Sequence, residues 1–263
     1  MEIKAVGNKP VILIAEDHLV NQKLLSLILD RLGYPSIMAN DGQEALEKAE
    51  TANNVALVFM DIQMPVMDGY EAAENLRKRG FKNPIIAVTA SALPDEWEHC
   101  REVGIDDMLV KPYKLADVDQ ILRKWINTGG DAENAPEIKL DNAPSDSAPD
   151  KVFSSAVMLD TFMNNEEIVL PLLARFISRT QVQLENIPNL ENAGDWEKAR
   201  RDAHTIRGTA LTMGGAELGK AAARLELAYK NIDRNEMEAA YPPLNEAFGR
   251  FKKEAEEYIR SRS

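Results

Sequence analysis

Cysteine is almost missing from this chain of 263 residues, with Cys100 as its only one. A lone thiol excludes an internal disulfide framework and fits a reducing compartment. Long apolar runs are missing too. None approaches the ~20 residues that span a bilayer, so no membrane insertion is expected. The lead MEIKAVGNKP lacks the apolar stretch of a secretory signal, which makes the cytoplasm the expected location. Basic residues are outnumbered, 31 Lys and Arg against 43 Asp and Glu, for a formal net charge of −12. Nucleic-acid binding leans on clustered Lys and Arg, so nucleic acid is not an expected partner; proteins, and small anions held with a metal, are. What is present is the balance of a soluble globular protein, 44% apolar and 28% charged, at a length that suits two domains rather than one small core.

The two halves differ in period. From residue 10 to 128, short β-branched runs alternate with helical patterns. The runs are Val11–Ala15, Ser36–Ala39, Val55–Met60, Pro84–Thr89 and Met108–Val110. Between the first two, Val20, Leu24, Leu27, Ile28 and Leu32 are spaced for one helix face, closed by Gly33 and barred from continuing by Pro35. Continuously apolar strands such as Val-Ala-Leu-Val-Phe-Met are what a parallel sheet buried on both faces requires. Five β-α units therefore predict an α/β domain with a doubly wound, five-stranded parallel sheet. Residues 129–152 are rich in Pro, Ala, Asp, Asn and Gly, and have too little apolar surface to offset ordering entropy; they read as a flexible linker. From 153 to 262 the pattern is helical, with turn signals at Ile187–Pro188–Asn189, Gly214–Gly215 and Asn231–Asn235. Pro242–Pro243 is placed to delay or bend the last helix. An all-α bundle of four or five helices follows.

Acidic residues end two of the strands: Glu16 and Asp17 after the first, Asp61 after the third. Open α/β sheets bind ligands at that edge. Three carboxylates brought together repel, and a hard divalent cation such as Mg²⁺ removes the repulsion. Thr89 and Lys111 end two further strands and add a hydroxyl and an ammonium. Together these groups suit a phosphoryl group, whose charge needs positioned positive partners. Any one Asp after a strand reads equally as a helix cap; all five residues at the right strand ends do not.

These residues carry a resemblance. Glu16-Asp17, Met60-Asp61-Ile62-Gln63-Met64-Pro65-Val66-Met67-Asp68-Gly69, Val88-Thr89-Ala90 and Lys111-Pro112 closely resemble response-regulator receiver domains, in the variant found in hybrid sensor kinases. The resemblance implies Asp61 as phosphoacceptor, with Glu16, Asp17 and the Gln63 carbonyl around Mg²⁺. It also implies Thr89 and Lys111 on the phosphoryl oxygens, and a cis peptide before Pro112. Two positions depart from the pattern. Met108 stands where receivers usually carry an aromatic switch residue, so that readout is expected to be blunted or replaced. His18 stands where an Asn is common, and reads as an exposed first-turn residue.

In the second half, Trp196–Met213 fits one helix. Trp196, Ala199, Ala203, Ile206, Ala210 and Met213 form its core stripe, and His204 lies roughly 100–130° away at ~100° per residue. The histidine is therefore expected at the bundle surface, sharing a face with Arg200, Arg207, Gly208 and Leu211. Gly208 costs roughly 1 kcal/mol relative to Ala within a helix, and removes bulk beside the histidine. A neutral imidazole can attack phosphorus while the arginines hold phosphoryl oxygens. The stretch Ala203-His204-Thr205-Ile206-Arg207-Gly208-Thr209-Ala210 resembles the signature of histidine-phosphotransfer domains, with Arg207 in place of the usual lysine. His99 has no such setting and reads as a surface residue.

Jointly, the resemblances imply a phosphorelay protein that is a phosphoacceptor rather than a kinase, because no glycine-rich nucleotide-binding stretch is present. The expected partners are an upstream histidine kinase and a downstream receiver or response regulator. In the expected order the phosphoryl group passes from a phosphohistidine to Asp61, then to His204, then to another aspartate. Alternatives are a receiver acting as phosphate sink or allosteric input to His204, and a scaffold that uses both domains only for docking. Met1 and its polar lead suggest a natural start, against the reading of the chain as the tail of a larger sensor kinase.

Overall fold

The structure is a computed structural model describing residues 10–52, 54–90, 94–126 and 151–262. These residues fall into two compact units. The segment 129–150 of the expected linker lies outside the described residues.

The first unit alternates strand and helix: β1 (Val11–Ala15), α1 (Leu19–Leu32), β2 (Ser36–Ala39), α2 (Gly42–Thr51), β3 (Val55–Asp61), α3 (Gly69–Lys78), β4 (Ile85–Thr89), α4 (Pro94–Glu102), β5 (Asp107–Val110) and α5 (Leu115–Trp125). All pairings are parallel and the order is β2-β1-β3-β4-β5. The direction of winding reverses at β1, so a crevice opens between β1 and β3 at their C-terminal ends. Register fixes what lines it: Ala15 pairs with Met60, Asp61 with Val88, and Thr89 with Val110. Glu16, Asp61, Thr89 and Lys111 thus step along one sheet edge. The opposite edge is tied by Asp107, a buried carboxylate that accepts from Lys124 Nζ and Trp125 Nε1, both at 2.8 Å. The end of α5 is held there, away from Asp61.

Helix α1 closes as its sequence predicts, with Gly33 at φ 79°. Its buried face is Val20, Leu24, Leu25, Ile28 and Leu29, while Leu27 and Leu32 are only half-buried.

The second unit contains α6 (Ser155–Thr161), α7 (Glu166–Ala193), α8 (Trp196–Thr212), α9 (Ala216–Lys230) and α10 (Arg234–Arg262). Turns at Gly214–Gly215 and Asn231–Asp233 fall where the sequence places them. The turn expected at Ile187–Pro188–Asn189 is absent: α7 runs through Pro188, as α10 runs through Pro242 and Pro243. Two features hold α7 together. Leu184, Ile187 and Leu190 are all buried, so burial spans the proline on both sides. Pro188 has no N–H for the Leu184 carbonyl four residues back, and the Tyr241 hydroxyl donates to that carbonyl instead, at 2.7 Å.

This substitution of a side-chain donor for a backbone donor gives a coupled prediction. Tyr241→Phe should destabilise the chain by about 1–2 kcal/mol in urea unfolding, since it orphans a carbonyl. In a Pro188→Ala background the helix recovers its own N–H, and the same change should cost well under half as much. Equal costs in both backgrounds would remove this account of how α7 tolerates its proline.

Candidate functional site

Each unit carries a cluster of buried ionisable groups. In the first unit, Glu16, Asp61, Thr89 and Lys111 are all buried, and Asp17 is half-buried. Lys111 Nζ donates to Glu16 Oε2 and to Asp61 Oδ2, both at 2.7 Å. The Asp61 Oδ1 atom accepts the Gln63 backbone N–H at 3.1 Å. One carboxylate oxygen each from Glu16, Asp17 and Asp61 lie within 4.8 Å of one another. The Lys111-Pro112 peptide is cis, as the resemblance implied.

Charge at this density shifts the protonation of its members. Burial pushes Glu16 up to about 8; Asp61 and Asp17 add to that, and Lys111 pulls against it. Burial alone would lower Lys111, but the carboxylates of Asp61 and Glu16 outweigh it and hold the ammonium charged. Three carboxylate oxygens this close together fit a hard divalent cation such as Mg²⁺. The cation would sit on Glu16, Asp17 and Asp61.

Around this cluster one expectation changes. His18 is 3% exposed rather than an open first-turn residue; its backbone N–H donates to Glu16 Oε1 at 3.1 Å, which draws the start of α1 inward. Met108, at the switch position, is half-buried and packs on the core shared with Tyr70 and Trp97. His99 is largely exposed, as expected, with its ring 4.4 Å from that of Tyr70.

In the second unit His204 is buried, 7% exposed, and does not project at the surface. The expected core stripe Ala199, Ala203, Ile206, Ala210 and Met213 is fully buried, while Trp196 is half-buried. The next helix covers the neighbouring stripe as well. His204 Nδ1 lies 2.8 Å from Glu226 Oε1, and Arg207 Nη1 donates to Glu226 Oε2 at 3.1 Å. Gly208 is buried too, and half-buried Leu211 lies over Gly219, where an added Cβ would come within 2.8 Å of its side chain. Arg200 forms a two-point pair with Glu197, at 2.7 and 3.1 Å.

Glu226 is the functional residue that helix-face reasoning alone misses. Burial raises its carboxyl, but the hydrogen bond from His204 and the charges of His204 and Arg207 outweigh this and hold it below the usual carboxylate range. An ionised carboxylate only accepts, so Nδ1 carries the proton, and whenever the ring is neutral Nε2 carries the lone pair. A signal for Glu226 was present: in an antiparallel helix pair, positions equally far from the turn face each other. His204 and Glu226, and likewise Leu211 and Gly219, are symmetric about Gly215.

Two predictions follow from these charges. Glu16 holds its proton in the folded state well above pH 4.5, so its contribution to stability is present at low pH and is lost as pH rises towards about 8. A cation needs the ionised form, so millimolar Mg²⁺ should raise the first unit's melting temperature more at pH 8 than at pH 6; a gain that shrinks with pH would contradict the site. For the second unit, Glu226→Ala should mix the two neutral tautomers of His204 in ¹⁵N NMR and slow its phosphorylation roughly 10-fold. Glu226→Gln, which still accepts from Nδ1, should keep the tautomer and lose less.

Comparison with known proteins agrees with this division. Residues 12–123 match the response regulator receiver domain family, and residues 171–260 match the Hpt domain family. The chain is similar to the sensor histidine kinase RcsC of Escherichia coli, 41% identical over 121 residues, which is 45% of this chain and 13% of that protein. It is also similar to the sensor histidine kinase GacS of Pseudomonas protegens, 28% identical over 251 residues, which is 94% of this chain and 27% of that protein. The virulence sensor protein BvgS of Bordetella pertussis is 30% identical over 210 residues, 77% of this chain and 17% of its own length. The chain therefore spans about a quarter or less of the curated relatives it matches. Among the described residues, no helix is long and apolar enough to cross a membrane. The chain joins a response regulator receiver domain to an Hpt domain, a pair that supports phosphorelay in two-component signalling.

Proposed function

We propose that Asp61 accepts a phosphoryl group from the phosphohistidine of an upstream histidine kinase, and that His204 passes phosphoryl groups to or from a receiver aspartate. The domains are taken as residues 10–128 and 153–262, with 129–152 as the linker. One observation carries the reading: each candidate acceptor is buried and held by a counter-charge. Lys111 is fixed on Asp61 Oδ2 at 2.7 Å, and Glu226 is fixed on His204 Nδ1 at 2.8 Å.

At the receiver site, a carboxylate oxygen of Asp61 attacks phosphorus, and the bond from phosphorus to the donor imidazole nitrogen breaks. The electron pair of that bond stays on the imidazole, which leaves as a neutral ring when its other nitrogen carries a proton. Lys111 and the Thr89 hydroxyl take the phosphoryl oxygens, replacing hydration with positions already fixed by the sheet edge. Glu16, Asp17 and Asp61, with the Gln63 carbonyl, would hold a Mg²⁺ ion, which would neutralise charge spread over those oxygens. At the helical site, Nε2 of His204 attacks the phosphorus of a receiver acyl phosphate; the phosphorus–oxygen bond to the aspartate breaks, and its electron pair leaves on the carboxylate. Glu226 holds the ring, and its negative charge favours the imidazole as Nε2 gains a third substituent and the ring gains positive character. Arg207 balances that carboxylate and, with Arg200, leaves cationic groups beside the incoming phosphoryl group.

The chain is then a phosphoacceptor and carrier rather than a kinase, and its partners are a histidine kinase upstream and a receiver downstream. The test is ³²P transfer from a panel of kinases to wild type, Asp61→Ala and His204→Gln. Label should appear on His204→Gln and be lost from Asp61→Ala, and wild type should pass label on to a second receiver. Label on His204 in the Asp61→Ala chain would overturn the order. A wild type that returns phosphate to water without labelling a second receiver would make Asp61 a sink.

A further inference from the structure

Two amide side chains in the first turn of α1 are buried beside the acidic cluster, Asn21 at 5% exposure and Gln22 at 7%. A buried amide is costly without partners, and Asn is a poor helix former, so packing alone does not account for them. Both are paired, and both with Glu16. Asn21 Nδ2 donates to Glu16 Oε1 at 3.1 Å, the atom that also accepts the His18 backbone N–H at 3.1 Å. Gln22 Nε2 donates to the Glu16 backbone carbonyl and, at 3.0 Å, to Asn40 Oδ1. Asn40 in turn holds Glu44 of α2, donating to it from its backbone N–H and from its side-chain amide, each at 2.7 Å. The acidic loop after β1 is thus tied both to α1 and to the loop after β2.

The consequence lies at the Glu16 carboxylate. Each carboxylate oxygen offers two lone pairs, and those on Oε1 are engaged by His18 and Asn21. The other oxygen, Oε2, accepts from Lys111 Nζ at 2.7 Å, and the same ammonium donates to Asp61 Oδ2 at 2.7 Å. Turning the carboxylate would break both bonds to Oε1, so Oε2 stays directed at the acidic cluster. The His18 donor belongs to the backbone; Asn21 supplies the side-chain donor. A leucine has the same branching and would fill the space, so what the amide adds is orientation. Orientation matters unequally to different cations: Mg²⁺ demands near-ideal octahedral geometry, whereas Ca²⁺ accepts flexible geometry and longer bonds. We propose that Asn21 is a positioning residue of the cation site, which holds Glu16 in one orientation and thereby favours Mg²⁺ over the larger Ca²⁺. It acts through Glu16 and touches neither the cation nor the phosphoryl group. The proposal rests on the reading of Glu16, Asp17 and Asp61 as the carboxylates of a cation site, and adds what sets the selectivity of that site.

The experiment uses the full-length, ¹⁵N-labelled chain freed of metal. Mg²⁺ and Ca²⁺ are titrated separately at one fixed pH, and binding is read from backbone amide shifts in NMR. The variants are Asn21→Leu, which keeps the shape and removes the donor, Asn21→Ala, which removes donor and bulk, and Ile28→Val. Ile28 is fully buried on the same helix, so Ile28→Val loosens α1 without touching Glu16. Both Asn21 variants should bind Mg²⁺ about 10-fold more weakly, the usual loss when the partner behind a metal ligand is removed. Their Ca²⁺ affinity should fall less than about threefold, so the preference for Mg²⁺ shrinks. Ile28→Val should lower the melting temperature by a few degrees and leave the ratio of the two affinities unchanged. Equal weakening of both ions in Asn21→Leu and Asn21→Ala, or no weakening of either, would overturn the positioning role. A matching fall of the ratio in Ile28→Val would also overturn it, by making selectivity a consequence of helix stability. If the wild-type chain binds neither ion, the cation site itself is wrong and this proposal falls with it.

Discussion

Burying an ionised group is costly unless an opposite charge is held against it, and both halves of this chain are organised around that constraint. At the receiver edge the constraint is met by Lys111 lying between Glu16 and Asp61. The ammonium comes from β5, one carboxylate from β1 and the other from β3, so the arrangement exists only when the central strands pair in their observed register. A slip of one residue would turn every one of these side chains to the other face. The fully apolar strands β1, β3 and β4 therefore do more than fill the core: their burial on both faces fixes where the charges meet.

The helical unit meets the same constraint with less machinery. Glu226 neutralises itself against His204 and Arg207, and so sets which imidazole nitrogen is reactive. The close approach of α8 and α9 that allows this depends on small residues, with Leu211 seated on Gly219 and Gly208 buried beside the histidine. An account of the histidine that treats it as a surface group loses this point, because a freely hydrated imidazole has no preferred tautomer holding the lone pair on the outer nitrogen.

Much of this was legible in the residues. Strand positions, the doubly wound sheet and the acidic edge follow from patterns and spacing confined to short windows, while the cis Lys111-Pro112 bond is implied by the family resemblance. The failures share a physical origin: they concern contacts between elements. Pro188 reads as a turn because its missing N–H is a local fact, whereas the Tyr241 hydroxyl that satisfies Leu184 comes from another helix. His18 reads as exposed because its place on α1 is local, whereas its burial is set by the fold around Glu16. His204 was placed by helix angle relative to one stripe, and the covering helix α9 was left out. Symmetry about the Gly214–Gly215 turn would have restored Glu226, since antiparallel pairing converts distance from the turn into opposition across it.

The central claim is that this chain presents two defined phosphoacceptor atoms, a carboxylate oxygen of Asp61 and Nε2 of His204. The most direct measurement is ³¹P and ¹⁵N NMR of the ¹⁵N-labelled full-length chain after reaction with phosphoramidate in Mg²⁺. The account predicts one acyl phosphate that disappears in Asp61→Ala, together with one phosphohistidine coupled to Nε2 of His204 while Nδ1 keeps its proton. Phosphorus coupled to Nδ1, or an acyl phosphate that persists without Asp61, would contradict it.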